Sequence, residues 1–310
     1  MASSPTRDPP SPGGSSTKSL PLHDGGFRAL LNFRDVGATV NGQLSRRLVR
    51  EGLLFRAARP DEATLADRER LRSHYAICTV MDLRTKTEHI EAAKKRQRDA
   101  AIPAMLQTND ALAGPVKIDG LDYREVKITG GGFEKFMLSQ LCWSSFLKLI
   151  CLYVVGLRMQ AIAVLGREVM QPRGLLGLGC DTLDASGPEV AAGLASLLEP
   201  HGLPILIHCT QGKDRTGIMV VLVLLICGVP VDAIQYDYHL SDEKLLSEQE
   251  DRLREIRQMG LGDDFGKTAP GFVSGIVDHL ESTYGGLAKY LDSIGFGDDK
   301  RAKLREKLAY

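Results

Sequence analysis

The sequence predicts an α/β fold, a sandwich of helices around a central sheet with its chemistry at the carboxyl end of a central strand. Three observations predict it. Short apolar runs of strand type alternate with segments of helical period. Leu203 to His208, LPILIH, is a compact apolar strand. A loop, Cys209 to Arg215, and an apolar helix from Thr216 follow it directly, which puts reactive groups where open α/β sheets bind ligands.

The elements follow in order. Residues 1–24 open with MASSPTRDPPSPGGSSTKS, rich in Ser, Pro and Gly with no apolar stretch, and read as a disordered tail. From Phe27 to Pro60 short apolar clusters are broken by Gly and Asn, a pattern that suits strands and turns. ATLADRERLRSHY has a helical period and feeds AICTVMDL, a strand of the fully buried kind. Thr85 to Arg98 is a charged helix, Ala100 to Gly120 a variable connection and LDYREVKI another strand. Gly130 to Gly132 reads as a flexible joint.

Phe136 to Gly166 is the most apolar stretch, and Lys148, Gly156 and Arg158 interrupt it before the roughly 20 residues of a membrane span. It reads as an apolar helical insert over about 133–166, a cap near the active site. Ser186 to Leu198 opens as a helix on Ser-Gly-Pro-Glu, and Ile218 to Val231 is a core helix stopped by Gly-Val-Pro. The catalytic domain then covers 25–296. The remainder, 297–310, reads as a solvated basic helix whose charged face is a candidate for peripheral lipid contact.

The bulk numbers narrow the function. The chain has 310 residues, 43% of them apolar and 25% charged, enough for one good-sized core. Lys plus Arg equals Asp plus Glu at 39 each, so no global field draws the chain to nucleic acid, and an anion must be caught locally. The six cysteines form no CxxC pair and no Cys/His zinc spacing, which fits a reducing, cytoplasmic setting. No metal ligand set accompanies the loop, and no cofactor is expected.

The chemistry sits in HCTQGKDRTG, residues 208 to 217, where five residues separate Cys209 from Arg215. A short loop curled before a helix N-terminus turns successive N–H groups inward, a nest for a tetrahedral dianion. Thr210, Gln211, Gly212, Lys213, Thr216 and Gly217 belong to that nest. Gly212 permits the tight bend and Gly217 a close helix approach. The same positive field favours a thiolate at Cys209 and makes it a nucleophile. Arg215 presents two planar donors that match two phosphoryl oxygens. His208 holds the loop through a backbone hydrogen bond, and the Thr216 hydroxyl is placed to serve the departing thiolate.

HCTQGKDRTG resembles the Cys-x5-Arg-Ser/Thr loop of the protein tyrosine phosphatase superfamily. FRDVG at 33–37, GLLFRAARP at 52–60, TVMDLRTKTE at 79–88, YHLSDEKL at 238–245 and YGGLAKYLDSIG at 284–295 are similar to the IphP-type tyrosine/serine phosphatases of bacteria and fungi. The resemblance implies a phosphatase fold with a parallel-rich sheet, and substrates ranging from phosphotyrosine and phosphoserine to phosphoinositides and inositol phosphates. It implies a phosphomonoester hydrolase acting through a phosphocysteine intermediate. A catalytically weak phospho-binding module is the alternative of another class.

The general acid is open. The family's early aspartate has no counterpart in VKITGGGFEKF, which offers Glu134 alone. Asp214 lies inside the loop, as in some lipid phosphatases of the superfamily; Asp181 and Asp184 lie upstream, and Asp82, which ends a strand and is followed by Arg84 and Glu88, reads better as an ion-paired structural residue. Lys213 adds a second cation that favours a substrate with several phosphates. Cys78, Cys142, Cys151 and Cys227 read as structural, and Cys180, in a Gly-rich loop, stays open between a structural role and that of a resolving thiol for an oxidised Cys209. Arg34, Asp35 and Arg56 line the pocket or brace the sheet.

Overall fold

The computed structural model describes residues 24–100 and 116–310. The expected tail, but for Asp24, and most of the connection expected at 100–120 lie outside them. Among the described residues five strands form one sheet: β1 (Arg34–Asp35), β2 (Leu54–Ala57), β3 (Thr79–Asp82), β4 (Asp122–Glu125) and β5 (Ile205–His208). Their order is β1-β2-β5-β3-β4, and every pair is parallel except β1 with β2. The helices, in chain order, are α1 (Val36–Leu44), α2 (Leu65–Glu69), α3 (Lys86–Ala100), α4 (Gly131–Ser139), α5 (Trp143–Val154), α6 (Arg158–Leu165), α7 (Gln171–Ala185), α8 (Gly187–Ser196), α9 (Asp214–Ile226), α10 (Val231–Lys244), α11 (Gln249–Gln258), α12 (Phe272–His279), α13 (Leu287–Ser293) and α14 (Asp298–Leu308). The expected α/β fold with a mostly parallel sheet is what the chain adopts.

Strand alternation builds two cores. Ile205 and Ile207 of β5 face the main core with α9, while Leu206 faces the other side with Phe55 and Val80. That second side is sealed by Phe27, Phe33 and Tyr75, with ring centroids 4.5 to 5.6 Å apart. α9 is buried around its whole circumference from Thr216 to Leu224, so it needs no polar face, and its hydrophobic seat fixes the loop before it.

Several sequence expectations are corrected. Val36 to Leu44 is a helix where strands and turns were expected: Asp35 caps it by accepting from Ala38 N at 3.1 Å. Asn41 on that helix accepts from the N–H groups of Leu48 and Val49, which turns the chain back towards β2. Of the three glycines at 130–132, Gly132 serves close packing rather than hinging, since a Cβ there would lie 2.3 Å from Ala185 O, while Gly131 faces open space. GCDTLDA is the end of α7, not a loop. The C-terminal helix α14 buries Leu304 and Leu308 in the main core, and its Lys307 Nζ donates to Leu198 O at 3.0 Å. The 133–166 stretch holds most of α4 and all of α5 and α6. No helix among the described residues is long and apolar enough to cross a membrane.

Candidate active site

Cys209 follows the central strand directly and is 3% exposed. The loop behind it is held from outside. Arg56 Nη2 donates to the carbonyls of Gly212 (2.8 Å) and Lys213 (3.0 Å), and Asn32 Nδ2 to those of Gln211 (2.9 Å) and Gly212 (3.2 Å). With those carbonyls occupied, the N–H groups of residues 210 to 213 donate to no acceptor in the loop and turn hydrogen bonds of the described residues, which leaves them available to an anion. Arg56 and Arg34 share Asp237, at 2.5 and 2.7 Å, all three buried. Burial works against the Asp237 charge, and the two arginines outweigh it, holding the carboxyl below its ordinary value. Of the two sequence readings of Arg34 and Arg56, the geometry matches bracing.

Gly212 has φ of +65°, and a Cβ there would lie 1.9 Å from Ala57 O, so β2 touches the loop backbone. A Cβ on Gly217 would press on the Tyr238 ring at 3.3 Å.

Arg215 meets Glu88, with Nη1 2.7 Å from Oε2 and Nη2 2.5 Å from Oε1, a bidentate pair. Glu88 also accepts from the Thr210 hydroxyl, so one carboxylate ties both ends of the loop. α3 supplies the rigidity. Thr85 and Glu88 form a capping box, Thr85 N donating to Glu88 at 2.9 Å and Glu88 N to Thr85 Oγ1 at 3.3 Å. Burial pushes the Glu88 carboxyl up, but Arg215 and these hydrogen bonds prevail and hold it well below the usual carboxylate range.

The His208 ring is fully buried, its Nδ1 3.1 Å from Cys209 O, a donor there in the Nδ1-protonated tautomer, and its Nε2 3.5 Å from Asp82. Burial lowers its pKa and outweighs the pull of Asp82. Asp82 pairs with Arg84 at 2.8 Å; burial opposes its charge, while His208 and Arg84 bring the carboxyl down to about 2. Arg84 continues to Asp61 at 2.5 Å, which ties β3 to the loop after β2. The Thr216 hydroxyl is buried with no hydrogen-bond partner among the described residues.

The acid candidates separate in space. Asp214 opens α9 in the loop, half-buried, and accepts from the Tyr238 hydroxyl at 2.9 Å. Asp181 pairs with Arg173 at 2.6 Å, Asp184 with His279 at 2.7 Å and the exposed Glu134 with Lys127 at 2.6 Å. Each of these three is engaged in an ion pair outside the loop.

Lys213 departs from expectation. It is fully buried, and its ammonium donates to Phe265 O at 3.0 Å and to Lys267 O, so it offers no second cation on the open face. Cys180 lies on α7, where burial first and Asp184 and Asp181 next push its thiol up to about 11, which disfavours a resolving thiol. Cys142 and Cys151 are exposed rather than buried in structural positions.

A narrow cavity beside the loop is lined by Thr210 and Gln211, by the cations Arg59, Lys95 and Arg252, and by the carboxylates Glu248, Asp251 and Glu255. Arg252 is 6% exposed, and its Nε and Nη1 are buried with no hydrogen-bond partner among the described residues. Burial pushes its guanidinium down, offset in part by Glu248. A wider depression lined by Arg50, His201, Lys303 and Lys307 lies at the amino end of β5 and holds no loop residue.

Sequence reasoning missed Glu88, Asn32, Asp237 and Arg252 in these positions. Thr85-x-x-Glu88 is legible as a helix start, and nothing in the sequence aims that carboxylate at Arg215.

The sequence model of the tyrosine phosphatase family matches residues 26–310. The chain is 28% identical over 167 residues to a tyrosine-protein phosphatase of Nostoc commune, covering 48% of this chain and 56% of that protein. It is 28% identical over 241 residues to a Cupriavidus necator protein named provisionally as a tyrosine-protein phosphatase, covering 77% and 70%. It is also 28% identical over 120 residues to the triple specificity protein phosphatase PtpB of Mycobacterium tuberculosis, covering 34% and 43%. The chain thus spans about half the length of the Nostoc and mycobacterial relatives.

Proposed function

The chain belongs to the tyrosine phosphatase family, and on that premise we propose that it hydrolyses phosphomonoesters on protein tyrosine or serine through a phosphocysteine at Cys209. The observation that carries this reading is the loop itself. Its carbonyls are held by Arg56 and Asn32, the N–H groups of residues 210 to 213 donate to no acceptor among the described residues, and Arg215 is paired with Glu88. Sγ attacks phosphorus, the ester oxygen departs, and Asp214 gives that oxygen its proton. The loop N–H groups and Arg215 bind the three equatorial oxygens. Water then displaces Sγ and returns its proton to Asp214, and phosphate leaves.

Phosphate release by purified wild type and Cys209→Ser, without added metal, across phosphotyrosine peptides, phosphoserine peptides and phosphoinositides tests this. Release confined to wild type supports it. Equal release by Cys209→Ser overturns the mechanism, and binding without release by wild type supports a phospho-binding module instead.

A second reading concerns substrates with more than one phosphate, such as inositol phosphates or phosphoinositides. Lys213 gives it no support, but Arg252 does, as a buried cation with orphaned donors beside Thr210 and Gln211. The name of the mycobacterial relative, triple specificity, is in keeping with broad substrate use. If Arg252 serves a second phosphate, Arg252→Gln raises KM for the multiply phosphorylated substrate about tenfold and leaves a phosphotyrosine peptide unchanged.

A further inference from the structure

Helix α5 has no buried residue. Trp143, Leu147, Ile150 and Val154 are 74, 46, 41 and 77% exposed and recur at i, i+4, i+7 and i+11, which puts them on one face. The turn to α6 adds Val155 at 67% and Leu157 at 43%. The opposite side of the helical pair is firmly seated: Ser145 donates to Glu168 at 2.8 Å, and Ala161, Ala163 and Val164 of α6 are buried. A Cβ on Gly166 would lie 1.9 Å from Met259 O, so the end of α6 rests on the backbone that follows α11. A rigid base thus carries an apolar face with no partner among the described residues.

Charge indicates what covers that face. Between Glu134 and Glu168 the chain has Lys135, Lys148, Arg158 and Arg167 and no acidic residue. Lys148 is exposed beside the apolar stripe, and Arg158 sits over the Tyr153 ring, 5.5 Å from its centroid, at the turn. We propose that the α5–α6 pair is an interfacial anchor that lays its apolar face into an anionic lipid bilayer. The physical fit is threefold. Leu, Ile and Val enter the acyl boundary, Trp143 and Tyr153 suit the headgroup level, and the cations meet anionic headgroups. α5 has 12 residues, too short to span, so it lies in the interface. A second copy fits less well, because around a two-fold axis Lys148 and Arg158 face like charges.

The inference does not rest on the catalytic reading. α6 packs on α11, whose Arg252 and Glu255 line the cavity beside Thr210, so docking also ties the membrane to the side of the molecule that holds the loop.

Trp143 is the single tryptophan of the chain and reports its own insertion. The full chain is mixed with phosphatidylcholine vesicles, with and without phosphatidylserine, and followed by sedimentation and tryptophan fluorescence. Binding and a blue shift on phosphatidylserine vesicles, both weakened by salt, are expected. Val154→Glu with Val155→Glu, at exposed positions, reduces the bound fraction about tenfold or more, with unchanged thermal melting and unchanged hydrolysis of a soluble aryl phosphate. Failure to bind phosphatidylserine vesicles overturns the proposal, as does equal binding by the double variant. A lipid-independent dimer abolished by the same variant assigns the face to a second copy, and a blue shift on adding phosphate alone assigns it to closure over the loop; either result also overturns it.

Discussion

At the residue scale the loop works through partners that it does not contain. Arg215 is aimed by Glu88, which lies 127 residues earlier in the chain. Glu88→Gln keeps the size and the capping box but loses the charge that fixes the guanidinium. The expected result is a kcat/KM about 100-fold lower, with Cys209 still alkylated by iodoacetate, and an unchanged kcat/KM refutes the positioning role. In the proposed mechanism Asp214 protonates the leaving oxygen, so the effect of losing it should depend on how much that oxygen needs a proton. Asp214→Asn is expected to slow an alkyl phosphate about 100-fold or more and an activated nitrophenyl ester much less; equal losses on both would assign the carboxylate to structure. Tyr238 donates to this carboxylate, so Tyr238→Phe provides a milder form of the same comparison. The gathering of Cys209, Arg215 and Asp214 in one loop between β5 and α9 was legible because they fall within one short motif. Glu88, Asn32, Asp237 and Arg252 were not, because each acts across the fold, and a sequence shows an ion pair only when its members are close along the chain.

At the scale of elements, legibility followed the strength of the local pattern. The apolar strand β5, the buried helix α9 and the strand β3 were readable because continuous apolar runs have few other solutions in a chain of this composition. α1 was not: VGATVNGQL looks like turn-broken strand, and it becomes a helix because Asp35 caps it and Asn41 takes up the returning backbone. Gly132 misled for a related reason, since flexibility and close approach demand the same residue. Gly212 separates the two uses. Its positive φ and the nearby Ala57 carbonyl leave no room for a side chain, so Gly212→Ala must move the loop or β2. The expected cost is on the order of 1–3 kcal/mol in stability, read as a lower unfolding midpoint in urea, together with loss of phosphate or vanadate binding. Native vanadate affinity in a stably folded Gly212→Ala protein would show that the loop tolerates displacement.

At the scale of the whole molecule, the same buried charges make stability depend on pH. His208 sits fully buried beneath the loop with its pKa lowered, so on acidification the unfolded chain takes up a proton near its ordinary value of about 6.5 while the folded chain resists. Stability therefore falls as pH drops below about 6.5. Asp82 and Glu88 act in the same direction further down, since both carboxyls are depressed in the folded state, Asp82 to about 2. Their contributions are complete above about pH 5 and disappear as pH falls from there towards the folded values. Thermal melting followed from pH 8 to pH 3 should thus show a decline in two stages. His208→Gln should flatten the upper stage and leave the lower one, whereas Glu88→Gln should flatten part of the lower stage only. The chain has seven histidines, so the comparison between wild type and His208→Gln carries the test rather than the wild-type slope alone. An upper stage unchanged in His208→Gln would mean that His208 takes up its proton in the folded chain as readily as in the unfolded one, and would place the loop's acid sensitivity elsewhere.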